Sequence, residues 1–186
     1  NKEGITTINN FFNFDTAEKI KQTYSKASLI TANNVFAHCH DLSGITEAIS
    51  SLLAPNGLFI FEVSYLVDVY EKTLFDTIYH EHLSYHSVIP LVNFFKSKNM
   101  ELIDVTRVNT HGGSIRCVVK NSNDNFVIND SVKRLVDMEK YFSFDNPFIF
   151  KSFKENIDNR KNELKNLLRE IKTRNKTIAG FGAPAK

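Results

Sequence analysis

The sequence predicts an α/β protein: a mainly parallel sheet that closes in an antiparallel hairpin and is followed by a helical segment. Three observations predict it. Short apolar runs alternate with stretches of helical spacing, the pattern of βαβ units whose strands are buried on both faces. Two later strand-like runs are joined by Asn109-Thr110-His111-Gly112-Gly113, a length suited to a hairpin. Apolar residues then recur at helical spacing over residues 147–171, with charged residues between them.

Taken in order, residues 4–8 (Gly-Ile-Thr-Thr-Ile) are short and β-branched and predict a strand that Asn9-Asn10 ends. Asp15-Thr16 can cap a helix running to about Tyr24, with Ala17, Ile20 and Tyr24 on one face. Residues 28–36 read as a mostly buried strand whose polar Asn33-Asn34 pair falls near its end. A helix is expected over 43–53, stopped by Ala54-Pro55-Asn56-Gly57. A second buried strand follows at 57–64, carrying Glu62 near its end. Ligands of parallel sheets sit beyond strand C-termini, so Asn33, Asn34 and Glu62 are placed there. Residues 88–98 predict a helix with Leu91, Val92, Phe94 and Phe95 as its core stripe, and 100–108 and 114–120 are the hairpin strands. Residues 121–130 read as a linker, the pattern from Pro147 as one long amphipathic helix or two, and 176–182 as a strand leading into a glycine turn.

The composition narrows the function class. The 186 residues, with 42% hydrophobic and 24% charged content and a net charge of +2, suit a folded domain and not a disordered chain or a nucleic-acid binder. The two cysteines, Cys39 and Cys117, form no Cys-x-x-Cys pair, so a cytoplasmic setting is expected and neither a thiolate zinc site nor a disulfide framework. No apolar run reaches the roughly 18 residues of a membrane span. The chain reads as an internal fragment of a longer protein, and a monomer is the default expectation.

Residues 75–86, Phe-Asp-Thr-Ile-Tyr-His-Glu-His-Leu-Ser-Tyr-His, hold three of the six histidines, two acids and two tyrosines. A histidine there can act as general base with a carboxylate orienting it, and a tyrosine can donate to a developing oxyanion. A polar loop with internally satisfied hydrogen bonds is the plain alternative. A metal site built from His38, His80, His82 and His111 is another, although no third ligand is fixed by spacing. Asn33 and Asn34 can hold an amino acid or ribose, or cap a turn; His111-Gly112-Gly113 can present backbone N–H groups to a ligand, or simply form the hairpin turn.

Together, Asn33-Asn34-Val35-Phe36-Ala37-His38, the run Phe75 through Tyr85, His111-Gly112-Gly113-Ser114-Ile115-Arg116 and Gly180-Phe181-Gly182-Ala183-Pro184-Ala185-Lys186 resemble the sugar C-methyltransferases. These enzymes use S-adenosylmethionine to methylate carbon 3 of nucleotide-linked 4-keto-deoxyhexoses. A parallel sheet with a last antiparallel strand is likewise the Rossmann-like sheet of class I methyltransferases, by fold analogy. The resemblance implies the C-terminal part of a methyltransferase domain at 1–121, a helical connecting segment at 122–175 and the first strand and glycine turn of a second α/β domain at 176–186. It implies a zinc-binding domain upstream, and no zinc within this chain. By resemblance His82 is the base, with Tyr79 and Glu81 orienting it or the substrate and His38 near the keto oxygen. Asn33 and Asn34 are then cofactor-binding, and His111, Gly112, Gly113, Arg116 and Lys186 bind the nucleotide sugar. The fragment is expected to be inactive without the glycine-rich cofactor loop. The rival functions are a methyltransferase with another acceptor, a metal-dependent lyase or hydrolase using the histidines, and a non-catalytic fragment.

Overall fold

The computed structural model describes residues 4–182. Strands β1 (Ala27–Asn33) and β2 (Leu53–Ser64) pair in parallel, and β3 (Met100–Val108) runs the same way. Strand β4 (Ser114–Asn121) inserts antiparallel between β2 and β3, giving the order β1-β2-β4-β3. Parallel strands with one antiparallel insertion are the arrangement that the apolar runs and the hairpin spacing predict.

Helix α1 (Phe14–Tyr24) is capped by Asn13, whose side chain accepts from Thr16 N at 2.9 Å. Asp15, the expected cap, instead sits in the first turn, where a negative charge favours the helix dipole. Helix α2 (Leu42–Leu52) is capped by Asp41 through Gly44 N, and Ala48 and Leu52 pack against Ala17 of α1. The turn expected at residues 54–57 is a bulge inside β2. Asn56 adopts φ 58°, the register jumps between Ala27 and Leu29, and a Cβ on Gly57 would stand 2.9 Å from the carbonyls of Ala27 and Ala54.

One sheet face carries the core. Phe59, Phe61 and Val63 of β2 and Ile115, Cys117 and Val119 of β4 are fully buried there, under Phe36 and Phe95 of helix α4 (Val88–Ser97). The Phe36 and Phe61 rings lie 4.9 Å apart, within the range where aromatic pairs add to simple burial. The opposite face is less covered than a sheet buried on both sides. Among the described residues Leu29 is 54% exposed there, Asn33 and Arg116 are exposed, and Ile60 and Val118 are half-buried.

Beyond the sheet, helix α5 (Asp130–Phe142) packs on β3 and α4. Its buried Glu139 accepts from Val88 N at 2.5 Å, Ile89 N at 2.8 Å and the Tyr65 hydroxyl at 2.8 Å. That carboxylate satisfies the N-terminal amides of α4, which have no capping side chain of their own. Helix α6 (Ile149–Thr173) is a single long helix in which only Phe153 is buried. Its expected packing stripe stands mostly in solvent: Leu164 is 56% and Leu167 52% exposed.

Two expected strands do not form. Residues 4–8 and 176–182 carry no strand pairing, and nothing lies within 4 Å of where a Cβ on Gly180 or Gly182 would stand. A β-branched run fits a pleated surface, but it becomes a strand only beside a partner. Ala183 to Lys186, the end of that expectation, lie outside the described residues. No helix among the described residues is long and apolar enough to cross a membrane.

Candidate active site

The site is assembled where β1 and β2 end. Asn34 turns the chain out of β1 with φ 53° and donates its N–H to the carbonyl of Glu62 at 2.9 Å. A short 3-10 turn, Phe36–His38, then plugs Phe36 into the core and leaves His38 half-buried at the rim. After β2 come helix α3 (Leu66–Glu71) and a second 3-10 turn, Phe75–Thr77, and the acid-base stretch folds back over the first turn. Leu83 N and Ser84 N both donate to the Ala37 carbonyl, at 3.2 and 3.3 Å. The polar stretch is thereby fastened to the residues that follow β1.

Backbone carbonyls fix the two histidines. His82 Nδ1 lies 2.7 Å from the Thr77 carbonyl, and His38 Nδ1 lies 2.7 Å from the Glu81 carbonyl. A carbonyl can only accept, so Nδ1 of each imidazole carries a proton, and in the neutral form of each ring the lone pair is on Nε2. The rings sit 5.0 Å apart. The Tyr79 hydroxyl is 3.4 Å from His82 Nε2, with the two rings 4.5 Å apart. Across the site, Asn34 Nδ2 stands 3.4 Å from His111 Nε2.

These groups surround a cavity of about 510 Å³ lined by Asn34, His38, Asp76, Thr77, Tyr79, Glu81, His82 and His111. His38 also lines a second cavity of about 650 Å³, walled by Phe11, Phe12, Asn13, Asp15, Val35, His40 and Asp41. Its aromatic wall carries a legible signal: Phe11 and Phe12 precede the Asn13 cap and Phe14 opens α1, and Phe11 is 93% exposed.

The remaining residues singled out from sequence are placed differently. The carboxylate of Glu81 lies 4.0 Å from exposed His80, and its carbonyl is the group that His38 Nδ1 meets. Asn33 and Arg116 lie on the opposite sheet face, where Arg116 pairs with Glu62 at 2.9 Å. Gly112 and Gly113 shape the loop behind His111. Lys72 Nζ donates to the Gly112 carbonyl at 2.6 Å, and a Cβ on Gly113 would stand 2.2 Å from Asp68 Cγ. Lys186 lies outside the described residues. No three His, Cys, Asp or Glu side chains among the described residues converge as a metal-ligand set.

The site also uses two residues that sequence reasoning did not single out. Tyr85 donates to the Thr77 carbonyl at 3.2 Å, and Asp68, held by Nε and Nη2 of Arg107 at 3.0 and 2.9 Å, seats the Gly113 turn. A backbone carbonyl has no letter in a sequence, which is why its donors pass unnoticed.

Residues 1–105 match the family described as a methyltransferase domain, and residues 109–186 match the C-methyltransferase C-terminal domain. The C-methyltransferase NovU of Streptomyces niveus is 32% identical over 186 residues, which is 100% of this chain and 44% of that protein. The chain thus spans less than half the length of the relative it matches. Among solved structures, a SAM-dependent methyltransferase from Anabaena variabilis ATCC 29413 aligns with a TM-score of 0.46 at 12% identity, covering 64% of this chain and 61% of that one. Magnesium protoporphyrin IX methyltransferase (ChlM) from Synechocystis PCC 6803 aligns with a TM-score of 0.39 at 12% identity, covering 50% and 44%. With a methyltransferase-domain match over more than half its length, continued by the C-methyltransferase C-terminal match, this chain belongs to the methyltransferase family.

Proposed function

We propose that the chain carries the acid-base machinery of an S-adenosylmethionine-dependent C-methyltransferase acting on the carbon beside the ketone of a nucleotide-linked 4-keto-deoxy sugar. One observation supports it most: His38 and His82, each with Nδ1 held by a carbonyl, line one cavity beside the Tyr79 hydroxyl. Carbon methylation next to a ketone needs a base for a weak carbon acid and a donor for the enolate oxygen. His82 Nε2 carries a lone pair, which accepts from the Tyr79 hydroxyl at 3.4 Å before substrate binds, and it takes the proton. Tyr79, within 3.4 Å of that nitrogen, donates to the oxygen on which charge develops. His38, 5.0 Å from His82 ring to ring, faces the keto group from the other side and donates to its oxygen from Nε2 when the imidazole is doubly protonated. His111 and Asn34 close the cavity opposite and orient the sugar.

S-adenosylmethionine, when bound, supplies an electrophilic methyl group on a sulfonium centre. The second cavity has the donor set for such a group: aromatic surface from Phe11 and Phe12 for a nucleoside, and carboxylates from Asp15 and Asp41 near a cation. His38 lines both cavities, so it stands where acceptor and methyl donor would meet.

The test is His82→Asn in the full-length enzyme. Turnover should fall by about 100-fold or more, while nucleotide-sugar affinity stays within about threefold. Retained turnover would remove His82 from the role of base. A panel of nucleotide 4-keto sugars separates this acceptor class from other methyl acceptors, since only the former should be turned over.

A further inference from the structure

The Thr77 carbonyl that fixes His82 has a second donor. Tyr85 Oη lies 3.2 Å from the same oxygen that accepts from His82 Nδ1 at 2.7 Å. The Tyr85 ring also stands edge-on to the His82 ring, with centroids 6.1 Å apart at 83°. Thr77 closes a three-residue 3-10 turn, and Ile78 leaves it with φ −86° and ψ 93°. The amide edge of the Thr77–Ile78 peptide is held by Ile78 N, which donates to the Phe75 carbonyl at 3.0 Å, and the next backbone bond is His82 N to the Tyr79 carbonyl at 3.1 Å. The carbonyl edge of the same peptide is held by the side chains of His82 and Tyr85, so its direction depends on them as well as on the turn.

Tyr85 has an apolar neighbourhood. It walls an apolar cavity of about 280 Å³ with Leu66, Tyr70, Ile78, Phe150 and Phe153, the last two from α6. Burial pushes its phenol up from the ordinary value, so the hydroxyl keeps its proton and acts as a donor to the carbonyl.

We infer that Tyr85 is a positioning residue for His82: its hydroxyl holds the Thr77 carbonyl toward Nδ1, keeping the imidazole proton there and Nε2 free toward the cavity. This rests on the reading of His82 as the base. If the carbonyl swings away, the proton gains nothing from Nδ1, and the tautomer with N–H on Nε2 becomes populated. That tautomer faces the substrate with a donor and cannot take a proton.

The experiment pairs a tautomer measurement with kinetics. Long-range ¹H–¹⁵N spectra of this chain with ¹⁵N-labelled histidine report which nitrogen of His82 carries hydrogen. The wild-type chain should show the Nδ1–H form, and Tyr85→Phe should shift part of the population to Nε2–H without changing the spectra of His40 or His80. In the full-length enzyme Y85F should lower kcat about five- to tenfold, the worth of one ordinary hydrogen bond in orientation, with KM within about twofold. An Nε2–H form in the wild type, or an unchanged Nδ1–H form in folded Y85F, overturns the inference. A shifted tautomer with unchanged kcat supports the positioning role and instead overturns His82 as the base. If Y85F does not fold, Phe150→Ala, which opens the cavity beside Tyr85 from the half-exposed start of α6, takes its place: a shift toward Nε2–H supports the positioning role and an unchanged Nδ1–H form overturns it.

Discussion

His86 ends the acid-base stretch but takes no part in the cavity, and its burial makes stability depend on acid. It is 7% exposed, its ring lies 5.8 Å from that of Phe36, and its Nε2 has no hydrogen-bond partner. Burial lowers its pKa to about 4 from the ordinary 6.5. The unfolded chain therefore takes up this proton near pH 6.5, whereas the folded chain resists it until about pH 4. Between those values the unfolded state binds more protons, so stability is lost as pH falls. The shift from 6.5 to about 4 corresponds to about 3 kcal/mol when complete and about 2 kcal/mol by about pH 5. His86→Phe keeps an aromatic ring against Phe36 and removes the titration. Urea unfolding at about pH 7 and about pH 5 should show the wild type losing about 2 kcal/mol more than the variant. Equal losses in the two proteins would refute the assignment of a buried, neutral His86.

Two further substitutions probe the supports of the site. Glu139→Gln turns an amide N–H₂ toward donors already served by the carboxylate, Val88 N, Ile89 N and the Tyr65 hydroxyl, and should cost about 2 to 3 kcal/mol. A thermal midpoint equal to wild type would contradict that account of the α4 N-terminus. Gly113→Ala puts a Cβ 2.2 Å from Asp68 Cγ at a φ of 156° and should destabilise by about 3 kcal/mol or more, while shifting the His111 ring resonances. Normal stability with unmoved His111 signals would show that Asp68 does not seat this turn.

Much of the sheet was legible because buried strands announce themselves. The runs that form β1, the second half of β2, β3 and β4 are apolar and bounded by asparagine, glycine or proline, and the hairpin strands begin where expected. Residues 130–142 fell inside the helical segment that the resemblance implies at 122–175, but helix α5 was not read from residue spacing, and the reason is Glu139. A helical stripe of Val132, Leu135 and Val136 continues into a carboxylate, a charge that periodicity assigns to solvent; here it is 2% exposed and hydrogen-bonded three times. Residues 4–8 failed in the other direction, since β-branching states only that a segment tolerates extension. Within the site, His38, Tyr79, His82, Asn34 and His111 were legible by residue type and by their position after strand ends. Their partners were not, because Thr77 and Glu81 act through carbonyls that every residue possesses.

The same distinction explains how the second half of the chain bears on a site whose acid-base side chains all lie before Gly112. Periodicity over α6 marks an amphipathic helix but not what its apolar face meets. Leu164 and Leu167 stand in solvent, whereas Phe150 and Phe153, one turn into the helix, reach Tyr70 and Tyr85. Tyr70 stacks on Phe153 at 5.9 Å and meets Phe142 and Phe144 edge-on at 6.1 and 5.7 Å. Tyr70, Phe150 and Phe153 line one apolar cavity with Tyr85, and Glu139 ties α5 to the start of α4 shortly after His86. Residues 139–153 therefore bracket the acid-base stretch from both of its ends. Under the inference drawn for Tyr85, their part is to pack around the cavity shared with the tyrosine that donates, with His82, to the Thr77 carbonyl.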